Sequence, residues 1–203
     1  MNNPFEIKVC GINDEISMNT ALKCKADYVG LVFYPNSPRN VSINLSKELL
    51  QLRNKITKIV ALIVDPYDDF LFEIKKKIKP DYIQLHGNED PNRCMDIKKK
   101  FNIPIIKGVN VKNKLNLMQS TSDFEDICDI LLFDAPSEAL PGGNGKKFDW
   151  DILKDFKSKK KWMLAGGLNI ENIEKAIDIT KAPAIDISSG IEIEKGVKDP
   201  KLI

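Results

Sequence analysis

Histidine is almost missing from this chain. Among 203 residues only His86 carries an imidazole, which excludes triads built on a second histidine and most zinc enzymes. Cysteine is scarce and scattered. Cys10, Cys24, Cys94 and Cys128 form no Cys-x-x-Cys pair, so neither a metal site nor a disulfide framework is expected. Charge of one sign is missing too: 31 basic residues stand against 29 acidic ones. That balance announces no polyanion-binding surface, and the lysine runs at 75–77 and 157–161 read as solvated helix ends or loops, not as a nucleic-acid site. The longest apolar runs are only strand-length, so no membrane span is expected. Residues 1–4 are polar and read as no signal peptide, which points to a cytoplasmic protein with reduced thiols. A G-x-G-x-x-G turn is also lacking, which weighs against a dinucleotide-binding sheet.

What is present is alternation. Short β-branched runs at 5–10, 28–33, 58–64, 82–86, 103–109, 130–134, 162–165 and 184–188 are separated mostly by amphipathic segments such as 44–54, 67–78, 91–101 and 170–180. Eight strands at about 25 residues per unit fit a (β/α)8 TIM barrel better than an open sheet. No linker or composition break divides residues 1–203, which read as one domain. Several strands carry polar groups on one alternating face only. Lys8 and Cys10 oppose Ile7 and Val9; Gln84 and His86 oppose Ile83 and Leu85; Asp186 and Ser188 oppose Ile185 and Ile187. The polar phase is expected to face the barrel axis, with functional groups gathered at the C-terminal strand ends.

Chemistry concentrates in the last third. The apolar run Ile130-Leu131-Leu132-Phe133 ends in Asp134, followed by the glycine-rich stretch Pro141-Gly142-Gly143-Asn144-Gly145. An acid beside such a loop can transfer protons under a lid. Two later strands end in small residues, Gly166-Gly167 and Ser188-Ser189-Gly190, where backbone amides can approach an anion closely. A phosphorylated small molecule handled by acid–base chemistry is the reading these residues support. Of the cysteines, Cys24, Cys94 and Cys128 read as small buried hydrophobes, whereas Cys10 sits at an inward strand position beside Gly11.

An ordered set of motifs spans nearly the whole chain: Lys8-Val9-Cys10-Gly11-Ile12, Asn36-Ser37-Pro38-Arg39, Gln84-Leu85-His86-Gly87, Asp134 with the 141–145 loop, Leu164-Ala165-Gly166-Gly167-Leu168 and Asp186-Ile187-Ser188-Ser189-Gly190-Ile191-Glu192. Together they resemble the phosphoribosylanthranilate isomerase family of tryptophan biosynthesis. The resemblance implies an Amadori rearrangement of a phosphorylated sugar–anthranilate conjugate, without cofactor or metal, by a cytoplasmic monomer. It makes Cys10 the general base, Asp134 the general acid and Arg39 the partner of the anthranilate carboxylate. His86, Gly143, Gly166, Gly167, Asp186, Ser189 and Gly190 join Arg39 as substrate-binding candidates. His86 reads more readily as a structural histidine at the rim than as a direct proton carrier, and Asp186 is equally open to pairing with Lys8 in the lumen. The analogous sugar isomerase of histidine biosynthesis uses two aspartates, and Cys10 separates this chain from it. A barrel kept only for binding is the other alternative, against which the full acid, base and anion set speaks. The family's final helix begins near Asp199-Pro200, so a short or truncated last helix is expected here. Lys8, on the same strand face, is expected to lower the pKa of Cys10.

Overall fold

The computed structural model describes residues 5–136 and 149–203. Eight strands close into a parallel barrel in chain order: β1 (Glu6–Cys10), β2 (Tyr28–Phe33), β3 (Lys58–Ile63), β4 (Tyr82–Leu85), β5 (Ile105–Asn110), β6 (Ile130–Asp134), β7 (Lys161–Leu164) and β8 (Ala184–Ile187). The seam closes where β8 pairs with β1, Lys8 opposite Asp186. All eight expected strands form, within two residues of the bounds read from sequence. β5 starts later than expected because Asn102 turns left-handed at φ 48° as a helix cap and Pro104 has no N–H for a ladder.

Helices α1 (Glu15–Lys23), α2 (Ile43–Leu50), α3 (Asp68–Lys77), α4 (Pro91–Phe101), α5 (Lys114–Phe124) and α6 (Ile173–Thr180) pack around the outside. Their ends are chemically marked. Asp90 accepts from Arg93 N at 2.7 Å and Pro91 opens α4, which satisfies an orphan donor and fixes φ at the first turn. α3 begins with Asp68 and Asp69 and ends with Lys75, Lys76 and Lys77, each set favoured by the sign of the helix dipole it meets. That lysine run is therefore the helix end expected from sequence. α1 and α5 have weaker apolar stripes and are set by their caps, Asp14 and Asn113.

Two units depart from the regular repeat. Between β6 and β7 the described residues form only a 3-10 helix, Trp150–Leu153. After β8 comes a hairpin, β9 (Glu192–Glu194) with β10 (Val197–Lys198), ahead of the position where the short or truncated last helix is expected. Leu202 N and Ile203 N both donate to Asp199 O, a single closed turn, and one turn does not sustain a helix. None of the described helices is long and apolar enough to cross a membrane.

The lumen is filled, not hollow. Val60, Ile106, Ile130, Leu132, Met163 and Ala184 pack with Tyr28 in one buried cluster inside the barrel. Cys10, Val32 and Leu62 form a smaller one. Between these apolar groups Lys8 is fully buried, held by Asp186 at 2.8 Å. The polar phase of β1, β4 and β8 thus turns inward as its alternation requires.

Candidate active site

One cleft at the C-terminal mouth of the barrel is lined by Cys10, Arg39, Gln84, His86, Asp134, Asp186 and Ser188, together with Val32, Tyr34, Ser37 and Leu62. β1 delivers Cys10 and β6 delivers Asp134, each as the last residue of its strand. A larger groove on the loops after β3 and β4 is lined by Asp65, Tyr67, Asp68, Glu89 and Arg93. Of its acids, Asp68 already pairs with Arg93 and Lys100 and Glu89 with Lys107, and no thiol lines it.

Asp134 is 6% exposed. Its Oδ1 accepts from Ala135 N at 2.7 Å, and its Oδ2 lies 3.3 Å from His86 Nε2. That approach is off-line for a hydrogen bond, and Nε2 has no hydrogen-bond partner among the described residues. On the other side of the ring, Gln84 Nε2 sits 2.9 Å from His86 Nδ1. An amide N–H donating there places the imidazole proton on Nε2, the ring nitrogen nearer Asp134.

Cys10 is buried beside Lys8, on a strand end whose carbonyl accepts from Ser188 Oγ at 3.0 Å. Burial pushes the thiol up and the Asp186 carboxylate adds to it; Lys8 pulls the other way but does not prevail. The expected lowering of the Cys10 pKa is therefore corrected. Taking the thiolate out of water costs more than one shared cation returns, because that cation is already paired with Asp186.

Arg39 is 6% exposed and its stem crosses Gly11, whose φ is +81° and where a Cβ would lie 2.5 Å from Arg39 Cδ. Its Nε and Nη2 grip Glu192 at 2.6 and 2.8 Å. Asp186 pairs with Lys8 in the lumen, one of its two sequence readings, and also lines the cleft. The turns carrying Gly166, Gly167, Ser189 and Gly190 lie side by side, joined by a bridge between Asn169 and Gly190. Gly166 and Gly167 take φ of +86° and +63°, open to the backbone of glycine and strained for others. Gly143 lies outside the described residues, as does the rest of the 141–145 loop. Cys94 and Cys128 are buried as expected, but Cys24 is exposed; it caps α1, where the chain turns out to solvent before Lys25.

Sequence reasoning passed over Gly30. A Cβ at this position on β2 would lie 2.7 Å from Cys10 Sγ and 3.2 Å from Lys8 Nζ. A glycine inside a strand of otherwise large apolar residues was the available signal, since it marks a close approach. Gly30→Ala is expected to displace the thiol and lower kcat by about ten- to a hundredfold, with about 1–3 kcal/mol lost from overpacking. Steady-state kinetics and urea unfolding of the variant check both.

The family profile described as N-(5'phosphoribosyl)anthranilate (PRA) isomerase matches residues 7–203. The chain belongs to that family. Among curated isomerases of this name, that of Paramagnetospirillum magneticum is 43% identical over 199 residues, covering 97% of this chain and 92% of the relative. That of Rhodospirillum centenum is 41% identical over 204 residues, covering 98% and 95%. The crystal structure of the phosphoribosyl anthranilate isomerase from Thermotoga maritima superposes with a TM-score of 0.87 at 28% identity, covering 98% of this chain and 94% of that one. A phosphoribosyl anthranilate isomerase solved in complex with reduced 1-(o-carboxyphenylamino)-1-deoxyribulose 5-phosphate gives 0.82 at 27%, with the same coverage.

Proposed function

We propose that Cys10 and Asp134 carry the two proton transfers of this isomerase of tryptophan biosynthesis. The reaction converts N-(5-phosphoribosyl)anthranilate into 1-(2-carboxyphenylamino)-1-deoxy-D-ribulose 5-phosphate. The observation that carries the assignment is the single cleft in which Cys10, Asp134, His86 and Arg39 meet at the strand ends. Asp134 donates a proton to the furanose ring oxygen, and the sugar opens to an imine. Cys10 then removes the proton from the adjacent carbon, giving an enolamine that tautomerises to the ketone. Lysine could not replace Arg39 in facing a flat aromatic carboxylate, because only a guanidinium offers two parallel N–H bonds. His86, which lines the cleft and whose Nε2 has no hydrogen-bond partner among the described residues, is assigned to donate to a substrate hydroxyl beside the ring oxygen.

The turns at Gly166-Gly167 and Ser189-Gly190 are assigned to the phosphate, which backbone amides at two adjoining strand ends can hold. Crystals grown in inorganic phosphate are expected to carry tetrahedral density between these turns. Density at Lys75–Lys77 with the turns closed would contradict the assignment. The single-domain, monomeric and cytoplasmic readings belong to the same proposal, supported by the pairing of β1 with β8 across the whole chain and by exposed apolar residues set on separate elements, such as Ile16, Ile56, Leu115 and Ile193. The purified protein given freshly made phosphoribosylanthranilate is expected to extinguish its anthranilate-type fluorescence. No loss of fluorescence above the uncatalysed rate would overturn the assignment.

A further inference from the structure

The hairpin of β9 and β10 reaches over the ends of β1 and β2 and places two charges beside the cleft. Asn13 Nδ2–H donates to Gly196 O at 3.0 Å, and Gly196 passes so close to Pro38 that a Cβ there would meet its carbonyl oxygen at 2.6 Å. This docking brings Glu192 under Arg39. Oε1 of Glu192 accepts from Arg39 Nε at 2.6 Å and from Lys198 Nζ at 2.7 Å. Oε2 accepts from Arg39 Nη2 at 2.8 Å and from Gly196 N at 3.1 Å. Lys198 is itself anchored to Ser188 O at 3.0 Å and Ser188 Oγ at 3.2 Å, and that Oγ donates to the Cys10 carbonyl. All three charged side chains are buried, at 7%, 4% and 0% exposed for Arg39, Glu192 and Lys198.

A buried ion pair is a poor device for stability, since apolar residues of similar volume do as well. It is a good device for direction. Two bonds from one carboxylate to Nε and Nη2 fix both the plane and the rotation of a guanidinium, and a group so fixed recognises a planar anion at low entropic cost. Burial pushes the Glu192 carboxyl up, but the hydrogen bonds from Arg39 and Lys198 outweigh it and hold it below its ordinary value. The grip is therefore ionic at neutral pH.

We propose that Glu192, itself fixed by Lys198, is a positioning residue that sets the isomerase's preference for a substrate whose aromatic ring carries an ortho carboxylate, by aiming Arg39 at it. The proposal rests on the reading that Arg39 meets this carboxylate. Two reduced product analogues test it, one with a 2-carboxyanilino ring and one with a plain anilino ring on the same deoxyribitol 5-phosphate. Their affinities are compared in the wild type, Arg39→Lys, Glu192→Gln, Glu192→Asp, Lys198→Met and the Arg39→Lys/Glu192→Gln double variant.

The wild type is expected to prefer the carboxylated analogue by tenfold or more. Glu192→Gln should cut that preference at least fivefold while changing affinity for the anilino analogue less than twofold. Glu192→Asp, which keeps the charge, should recover part of it. In the Arg39→Lys background, Glu192→Gln should cause no further loss. Lys198→Met should lower the preference as well, which keeps the proposal testable should Glu192→Gln fail to fold. Equal weakening of both analogues by Glu192→Gln would make the pair merely structural and overturn the proposal. Preference lost in Arg39→Lys but intact in Glu192→Gln and Lys198→Met would overturn it while sparing the reading of Arg39. Preference intact in Arg39→Lys would overturn that reading itself, and the proposal with it.

Discussion

Cys10→Ala and Asp134→Asn are each expected to lower kcat by about 10²- to 10⁴-fold, the usual worth of a positioned general base or acid. At about 1.36 kcal/mol per factor of ten, that is roughly 3–5 kcal/mol of transition-state stabilisation. Neither change should unfold the barrel. Asparagine keeps an oxygen for the Ala135 N–H that Asp134 Oδ1 now accepts, and alanine removes only one sulfur from a site bordered by Gly30. Product-analogue binding should therefore survive in both, with the loss confined to kcat. Stopped-flow turnover and calorimetric binding of the reduced product analogue measure the two separately. Near-normal turnover in Asp134→Asn would move the acid elsewhere, and His86, 3.3 Å away, is the first residue to try.

Lys8→Met is expected to cost about 3–5 kcal/mol of stability, because it leaves the Asp186 carboxylate buried without its partner. That is a large share of the 5–15 kcal/mol typical of a folded domain. Burial pulls the Lys8 pKa down, but Asp186 and Cys10 outweigh it and raise the net value above 10.5. A group raised in this way contributes stability that is complete below its unfolded value and is lost only as pH climbs through the folded one. The Lys8 contribution is thus constant from neutral pH to about 10.5 and declines above it. Urea unfolding at pH 7 should show the loss, and Lys8→Met/Asp186→Leu should recover most of it, since a buried pair can be replaced by apolar side chains at little cost. No recovery in the double variant would mean that the lumen needs the pair for its shape.

The same substitution has a kinetic signature. The reaction needs a thiol in its ionised form and a carboxyl in its protonated form, the reverse of the order in which these two group types ordinarily lose their protons. In such a site the basic limb of the pH–rate profile reports the thiol. Burial and Asp186 push that thiol above its ordinary 9.0, so kcat/KM should stay level to beyond pH 9. Lys8 is the largest influence pulling the thiol down, ahead of Lys198, so Lys8→Met should move the limb further up. Each unit of that shift costs up to tenfold in the reactive fraction.

Much of this arrangement was legible because two periodicities leave their mark in sequence. Strict alternation in β1, β4 and β8 told which way Lys8, His86 and Asp186 point, and the small residues at 166–167 and 189–190 marked adjoining strand ends. Alternation tells a side chain's face but not its partner. The grip of Glu192 on Arg39 joins residues 153 positions apart, and nothing local in either segment announces it. The same blindness hid the direction of the Cys10 shift, which depends on how much of the Lys8 charge Asp186 has already taken. Space-making residues left a readable trace that counts of chemistry-bearing groups overlook. Gly30 makes room for Cys10, and Gly108, where a Cβ would meet the His86 ring at 2.5 Å, makes room for the imidazole. The hairpin after β8 lies just before the expected last helix, and nothing local in 192–198 announced it.

The division of labour between the two groups is the centre of the account, and an isotope effect reads it directly. Phosphoribosylanthranilate deuterated at the ribose carbon that loses its proton should be turned over by the wild type, Cys10→Ser and Asp134→Asn in parallel. If Cys10 takes that proton, Cys10→Ser makes its removal limiting and kcat shows a full primary isotope effect. If Asp134 opens the ring one step earlier, Asp134→Asn makes ring opening limiting and the effect falls toward one. An isotope effect that is full in Asp134→Asn and absent in Cys10→Ser would contradict the account.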